Sequence, residues 1–145
     1  MERVVLDTNV LISAIISSKG SPAKILDLWR EGAFDLVFSE ETLKELIDVM
    51  SRPKLLRITG INEDELNRLL SYLRSSSIVV DSSEDISIAI EDPNDTKFIS
   101  CAVQAGAKYI VSGDHHLLDV EKFEGTAIVT PAEFLRTFAS FQNDS

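Results

Sequence analysis

"VVLDTNVLI", residues 4–12, runs from β-branched and apolar residues into Asp7, then turns polar for two residues and apolar again. The first half reads as a buried strand, and the second half as the start of a helix. A strand that feeds straight into a helix is the opening of an α/β unit. It also sets a carboxylate at the carboxyl end of a strand, where open α/β sheets hold their ligands.

The same alternation continues along the chain. "SKGSP" (18–22) breaks the first helix, and Ser21 with Pro22 restarts a second as cap and first-turn proline. Its apolar positions Ile25, Leu28 and Trp29 recur at helical spacing, and Gly32 closes it. "FDLVFS" (34–39) is a second strand. Ser39 caps the next helix, with Glu40 and Glu41 at its positive end and Leu43, Leu46, Ile47 and Met50 as its buried stripe. A helix capped by Asn62, the strand "SIVVD" (77–81), an irregular or partly extended stretch over 82–95, and the helix "PNDTKFISCAVQAGA" (93–107) follow. "KYIVSGD" (108–114) is a fourth strand, and "IVTPAEFLRTF" (128–138) a short fifth strand followed by a helix from near Pro131. Alternating strands and helices argue for a parallel sheet covered on both faces. One domain over residues 1–140, with a frayed tail at 141–145, accounts for the length of 145 residues.

Cys101 is the only cysteine, so no internal disulfide is possible, which fits a reducing cytoplasm. No signal peptide is evident and no apolar run reaches the length of about 20 residues that spans a bilayer. The expected protein is cytoplasmic, without a membrane partner. The net charge of −10 argues against a general electrostatic grip on nucleic acid.

What matters is where the acids sit. Asp7 and Asp114 end two strands; if both strands are parallel and central, the carboxylates share one sheet edge. Asp92 and Asp95 flank a helix start, where they are either a cap and a first-turn acid favoured by the helix dipole or members of the acidic site. Glu45 lies opposite the apolar stripe of its helix and faces either solvent or a cleft. Two carboxylates about 4 Å apart repel by roughly 4 kcal/mol at an effective dielectric near 20. A converging cluster therefore takes up protons or holds a divalent cation, and oxygen-only ligands suit Mg²⁺ or Mn²⁺. Metal-assisted phosphodiester hydrolysis is the chemistry such a cluster serves.

With these residues assembled, the chain resembles a PIN-domain nuclease, and within that superfamily the group described as toxin components of toxin–antitoxin pairs (VapC-like). The likeness runs from "VVLDTNVLISA" through "SEETLKELIDVMSRPKL" and "EDPNDTKFISCAVQAGAKYIVSGDHHLL" to "IVTPAEFL". It implies a three-layer α/β/α fold around a mostly parallel five-stranded sheet. It assigns Asp7, Glu45, Asp95 and Asp114 as catalytic and metal-holding acids, and Asp92 of the "DP" pair as an outer ligand. It makes Asn9 the residue that orients Asp7 by hydrogen bonding, and Thr8 and Ser112 polar neighbours in the site. It implies a single-stranded RNA substrate, an antitoxin protein, and a homodimer or higher homo-oligomer.

Three rival classes bear weighing. A haloacid-dehalogenase-type phosphatase wants a second aspartate two positions after the first, and Asn9 stands there. A response-regulator receiver wants paired acids after the first strand and a late lysine, and neither is seen. A PIN fold with decayed acids would be a binding module, yet all four acids are present. His115 and His116 read as exposed residues at a helix start with at most a substrate contact, and Arg52, Lys54 and Arg57 as either phosphate contacts or a solvated turn. Cys101 reads as a small core side chain, and Trp29 as packing rather than a base-stacking platform.

Overall fold

A computed structural model describes residues 1–81 and 93–143, with side chains left out at 93–95 and from 139 onward. The strands are β1 (Arg3–Leu6), β2 (Asp35–Ser39), β3 (Ile78–Val80), β4 (Tyr109–Val111), β5 (Lys122–Phe123) and β6 (Thr126–Val129). The helices are α1 (Thr8–Ile16), α2 (Ser21–Arg30), α3 (Glu40–Met50), α4 (Pro53–Thr59), α5 (Glu63–Ser76), α6 (Pro93–Ala105), α7 (His115–Leu118) and α8 (Pro131–Asn143). The sheet order is β3-β2-β1-β4-β6-β5. All neighbours are parallel except β5, which runs antiparallel to β6. The five expected strands are the five parallel ones; the sixth is a two-residue addition at the edge.

Alternate residues of each strand face opposite layers, as a period of two requires. Val4, Leu6, Leu36, Phe38 and Val111 pack into the core formed with α1, α2, α3 and α8. Val5, Val37, Ile110 and Ile128 face the other way, onto Phe98, Ile99, Cys101 and Ala102 of α6 and Leu117 of α7. This makes three layers, with α6 as the main cover of the second face. Cys101 is fully buried there, and burial pushes its thiol up to about 11, so it is an inert packing group. Trp29 is buried and its ring meets Tyr72 at 5.6 Å, which makes it packing too.

The helix boundaries follow their caps. Ser39 and Thr42 form a reciprocal capping box at α3, as do Asn62 and Glu65 at α5. Two features differ from expectation. "SRPKLLR" is no turn: Pro53 opens α4, and Gly60 closes it. The last helix runs to Asn143, past the expected start of a tail at residue 141.

One topological detail positions the site. The chain adds β2 and β3 on one side of β1, then crosses to place β4 on the other. The strand order therefore reverses between β1 and β4, and their carboxyl ends border the crevice where α/β sheets bind ligands.

Candidate active site

Leu6 pairs with Val111 across β1 and β4, so Asp7 and Ser112 leave the sheet side by side. The Asp7 amide donates to the Val111 carbonyl at 3.1 Å, extending the ladder by one bond. Asp7 is then the N-cap of α1, and its Oδ1 accepts from the Val10 amide at 2.8 Å. Its Oδ2 accepts a short hydrogen bond from the Ser112 hydroxyl. Ser112 Oγ in turn accepts from the Asp114 amide at 2.9 Å, which fixes the turn that presents Asp114. Asp114 caps α7 through the His116 amide at 2.9 Å. Both strand-end aspartates are thus helix caps as well.

Capping does not account for the burial. Serine, threonine or asparagine would cap α1 as well as aspartate, without a charge. Asp7 is only 4% exposed. Desolvation raises its pKa above the ordinary 3.8, the Ser112 and Val10 hydrogen bonds pull it back, and the charges of Asp114 and Glu45 push it up further. Three carboxylates are therefore near enough to be felt at one point.

Glu45 reaches this point from the polar face of α3. Its Oε2 accepts from the Thr8 hydroxyl, and its Oε1 is 2.8 Å from the Lys97 ammonium on α6. The apolar stripe of α3 is buried as expected at Leu43, Leu46 and Met50. The half-buried Glu45 faces the cleft.

Thr8 and Ser112 thus bond to the site acids. Asn9 does not: it is exposed and makes no hydrogen bond to Asp7 among the described residues. The orienting role expected of it falls to Ser112 and the Val10 amide, because both carboxylate oxygens face the strand end and the first turn of α1. Asp92 lies outside the described residues, and so does the side chain of Asp95, though α6 includes its backbone. Arg52 lines a groove of about 430 Å³ with Glu45 and Lys97; Lys54 and Arg57 stand exposed on α4, outside it.

His115 is exposed and His116 half-buried, with ring centroids 4.2 Å apart. One ligand atom each from Asp114, His115 and His116 lies within 4.8 Å of the others, the one such trio among the described residues. Asp7, outside that trio, feels the charges of both Asp114 and Glu45. The donors fit a divalent cation in two ways. Asp7 and Glu45 offer hard oxygens suited to Mg²⁺, and the imidazoles beside Asp114 suit Mn²⁺ or a softer ion. A cation would also relieve the repulsion that raises Asp7.

Lys97 is the site residue that sequence reading missed. Its signal was a lysine near the positive end of a helix, where cations are disfavoured, in a stretch rich in acids.

The fold and this edge of acids are those of a nuclease-like α/β domain, and comparison with known families agrees. The chain belongs to the PIN domain family, whose profile matches residues 3–116. An uncharacterized protein of Methanocaldococcus jannaschii, MJ1680, is 34% identical over 147 aligned residues, covering 96% of this chain and 93% of that protein. A chain in the crystal structure of VapBC2 from Rickettsia felis, bound to a DNA fragment from their promoter, superposes with a TM-score of 0.57. That match covers 87% of this chain and 96% of the other at 18% identity, a likeness of fold. Among the described residues no helix is long and apolar enough to cross a membrane.

Proposed function

We propose that this PIN domain is a Mg²⁺- or Mn²⁺-dependent endoribonuclease that hydrolyses phosphodiester bonds of single-stranded RNA, and that it is the toxin of a toxin–antitoxin pair. The observation that carries the reading is Asp7: a buried carboxylate, at the reversal of strand order, pushed up by desolvation and by two further acids. Such a group is costly to the fold and of use to a cation.

Asp7, Glu45, Asp95 and Asp114 are the proposed ion-holding set, with Asp92 as an outer ligand. When bound, a divalent ion lowers the pKa of water and offsets charge on a phosphoryl oxygen. Ser112 and the Val10 amide hold Asp7 with both oxygens fixed, and Thr8, the residue next to Asp7, holds Glu45. Arg52 lines the groove that leads away from Glu45, and it and Lys54, with His115 and His116, are the proposed contacts to the RNA.

Single-stranded RNA as substrate, and an antitoxin as partner, rest on the resemblance to VapC-like proteins and on the fold shared with a chain of VapBC2. The net charge of −10 suits a basic antitoxin segment. A homodimer or higher homo-oligomer is proposed on the same resemblance.

Calorimetric titration of Mn²⁺ into the wild type and Asp7→Asn, with a fluorescent single-stranded RNA assay on the same samples, tests the reading. Binding and cleavage should both be lost in the variant while its fold persists, because asparagine caps a helix as well as aspartate. Full activity in Asp7→Asn would refute the mechanism. No Mn²⁺ binding by the wild type would favour a PIN-fold binding module instead.

A further inference from the structure

The Lys97 ammonium is paired with one of the proposed ion-holding acids, in the kind of place a cation would take. It bridges α6 to α3 at 2.8 Å from Glu45 Oε1, and the two side chains are only 14% and 26% exposed. The remaining oxygen of Glu45 is held by Thr8, next to Asp7. The surface ion pairs Arg30–Asp27 and Arg74–Glu40 have side chains more than half exposed, where such contacts add little. The Lys97–Glu45 pair is shielded, and its acid is one of those acting on Asp7.

We propose that Lys97 is the site's built-in counter-cation: it holds Glu45 in place of a divalent ion and is displaced when that ion arrives. This rests on the metal reading above. A divalent ion coordinates a carboxylate oxygen at about 2 Å, so an ion on Glu45 Oε1 would stand within about 5 Å of an ammonium that kept its present contact. Two cations so close in a shielded site repel strongly. The ammonium has somewhere to go. Lys97 also lines the groove of about 430 Å³ beside Lys44 and Arg52, where it can turn toward water or toward a substrate phosphate. Lys97 is thus a positioning residue with two effects. It keeps the acids apart from uncompensated repulsion before the ion binds, and it competes with that ion.

Calorimetric titration of Mn²⁺ and metal-free melting, on the full chain, test this with Lys97→Met, Lys97→Arg and Lys97→Gln. Lys97→Met should bind Mn²⁺ about tenfold more tightly than the wild type, since a competing charge is gone. Lys97→Arg should stay near the wild type, because it keeps the charge. Without metal, Lys97→Met should melt lower than the wild type, and that loss should vanish in a Glu45→Gln background. Lys97→Gln repeats the titration should methionine prevent folding. Unchanged or weaker Mn²⁺ binding on removing the charge would overturn the proposal, by showing that the lysine only orients Glu45 or plays no part. Absence of Mn²⁺ binding by the wild type would overturn the metal reading and this inference with it, an outcome distinct from a failure seen in the variants alone.

Discussion

Asp7 is a residue at odds with its surroundings, and that conflict has a pH signature. In the unfolded chain it titrates near 3.8, whereas in the fold desolvation, Asp114 and Glu45 raise it. The folded state therefore binds the proton more tightly than the unfolded state. The resulting stabilisation is complete below the unfolded value and is lost as pH rises through the raised folded value. Above that raised value the metal-free protein bears the penalty of a buried charge. Asp7→Asn has no charge there at any pH. It keeps a side-chain oxygen for the Val10 amide, so metal-free Asp7→Asn should melt several degrees above the wild type at neutral pH. That gap should close as the pH falls toward about 4. A constant gap, or a lower melting temperature for the variant, would mean that Asp7 serves the fold rather than a cation. Asp7 and Asp114 were legible in the sequence because a strand end is a fixed place: once the strands are parallel, their last residues share an edge. Glu45 was ambiguous, since a helical wheel separates polar from apolar faces without telling cleft from solvent. Ser112 was legible as a neighbour, but its part in bonding Asp7 depends on the register of β1 against β4. The family resemblance gave Asn9 the orienting role, but its side chain is exposed, and the bonds to Asp7 come from Ser112 and the Val10 amide instead.

Elements were legible where their ends carry chemistry. Ser39, Asn62 and Gly32 all mark real helix termini, and Gly106 closes α6. The Gly106 amide donates to Val103 at 3.2 Å and the Ala107 amide to Ala102 at 2.8 Å, the paired bonds of a left-handed helix stop. Gly106 sits at φ +64°, with open space where a Cβ would stand. Gly106→Ala should therefore cost about 1 kcal/mol through backbone conformation alone. A urea titration should show that loss with Mn²⁺ affinity unchanged. A much larger loss would mean that α6 is held less by its packing on the sheet than by its terminus. The elements that escaped notice lacked such signals. The helix α4 buries none of its residues, so no apolar stripe announced it. The edge strand β5 has two residues, and the turn joining it to β6 is Glu124–Gly125, with φ of 44° and 85°. A two-residue turn of that kind usually has Asn or Asp before Gly, and the glutamate hid it.

At the scale of the whole molecule, 24 acids against 14 lysines and arginines make an anion that must meet another anion if the substrate is RNA. Proteins that grip nucleic acid through a basic surface lose affinity as salt rises, because counterions are released on binding. On the proposed function the long-range field opposes encounter, and attraction would fall to short-range contacts at the site: the proposed ion, and cations such as Arg52 lining the groove. Salt at about 0.1 M shortens the reach of exposed charges to about 10 Å and acts less on shielded ones. It should therefore screen the repulsion more than the local attraction. With Mn²⁺ saturating, raising KCl from about 0.01 M to 0.15 M should leave KM for a short single-stranded RNA unchanged or lower it, and kcat should barely move. A KM that rises steeply over that range would place the binding energy in a cationic patch after all. Charge reversal at Arg52 would then be expected to abolish most of that slope. A flat or falling KM would instead leave affinity with the acids and their ion, the arrangement that the net charge of −10 permits most readily.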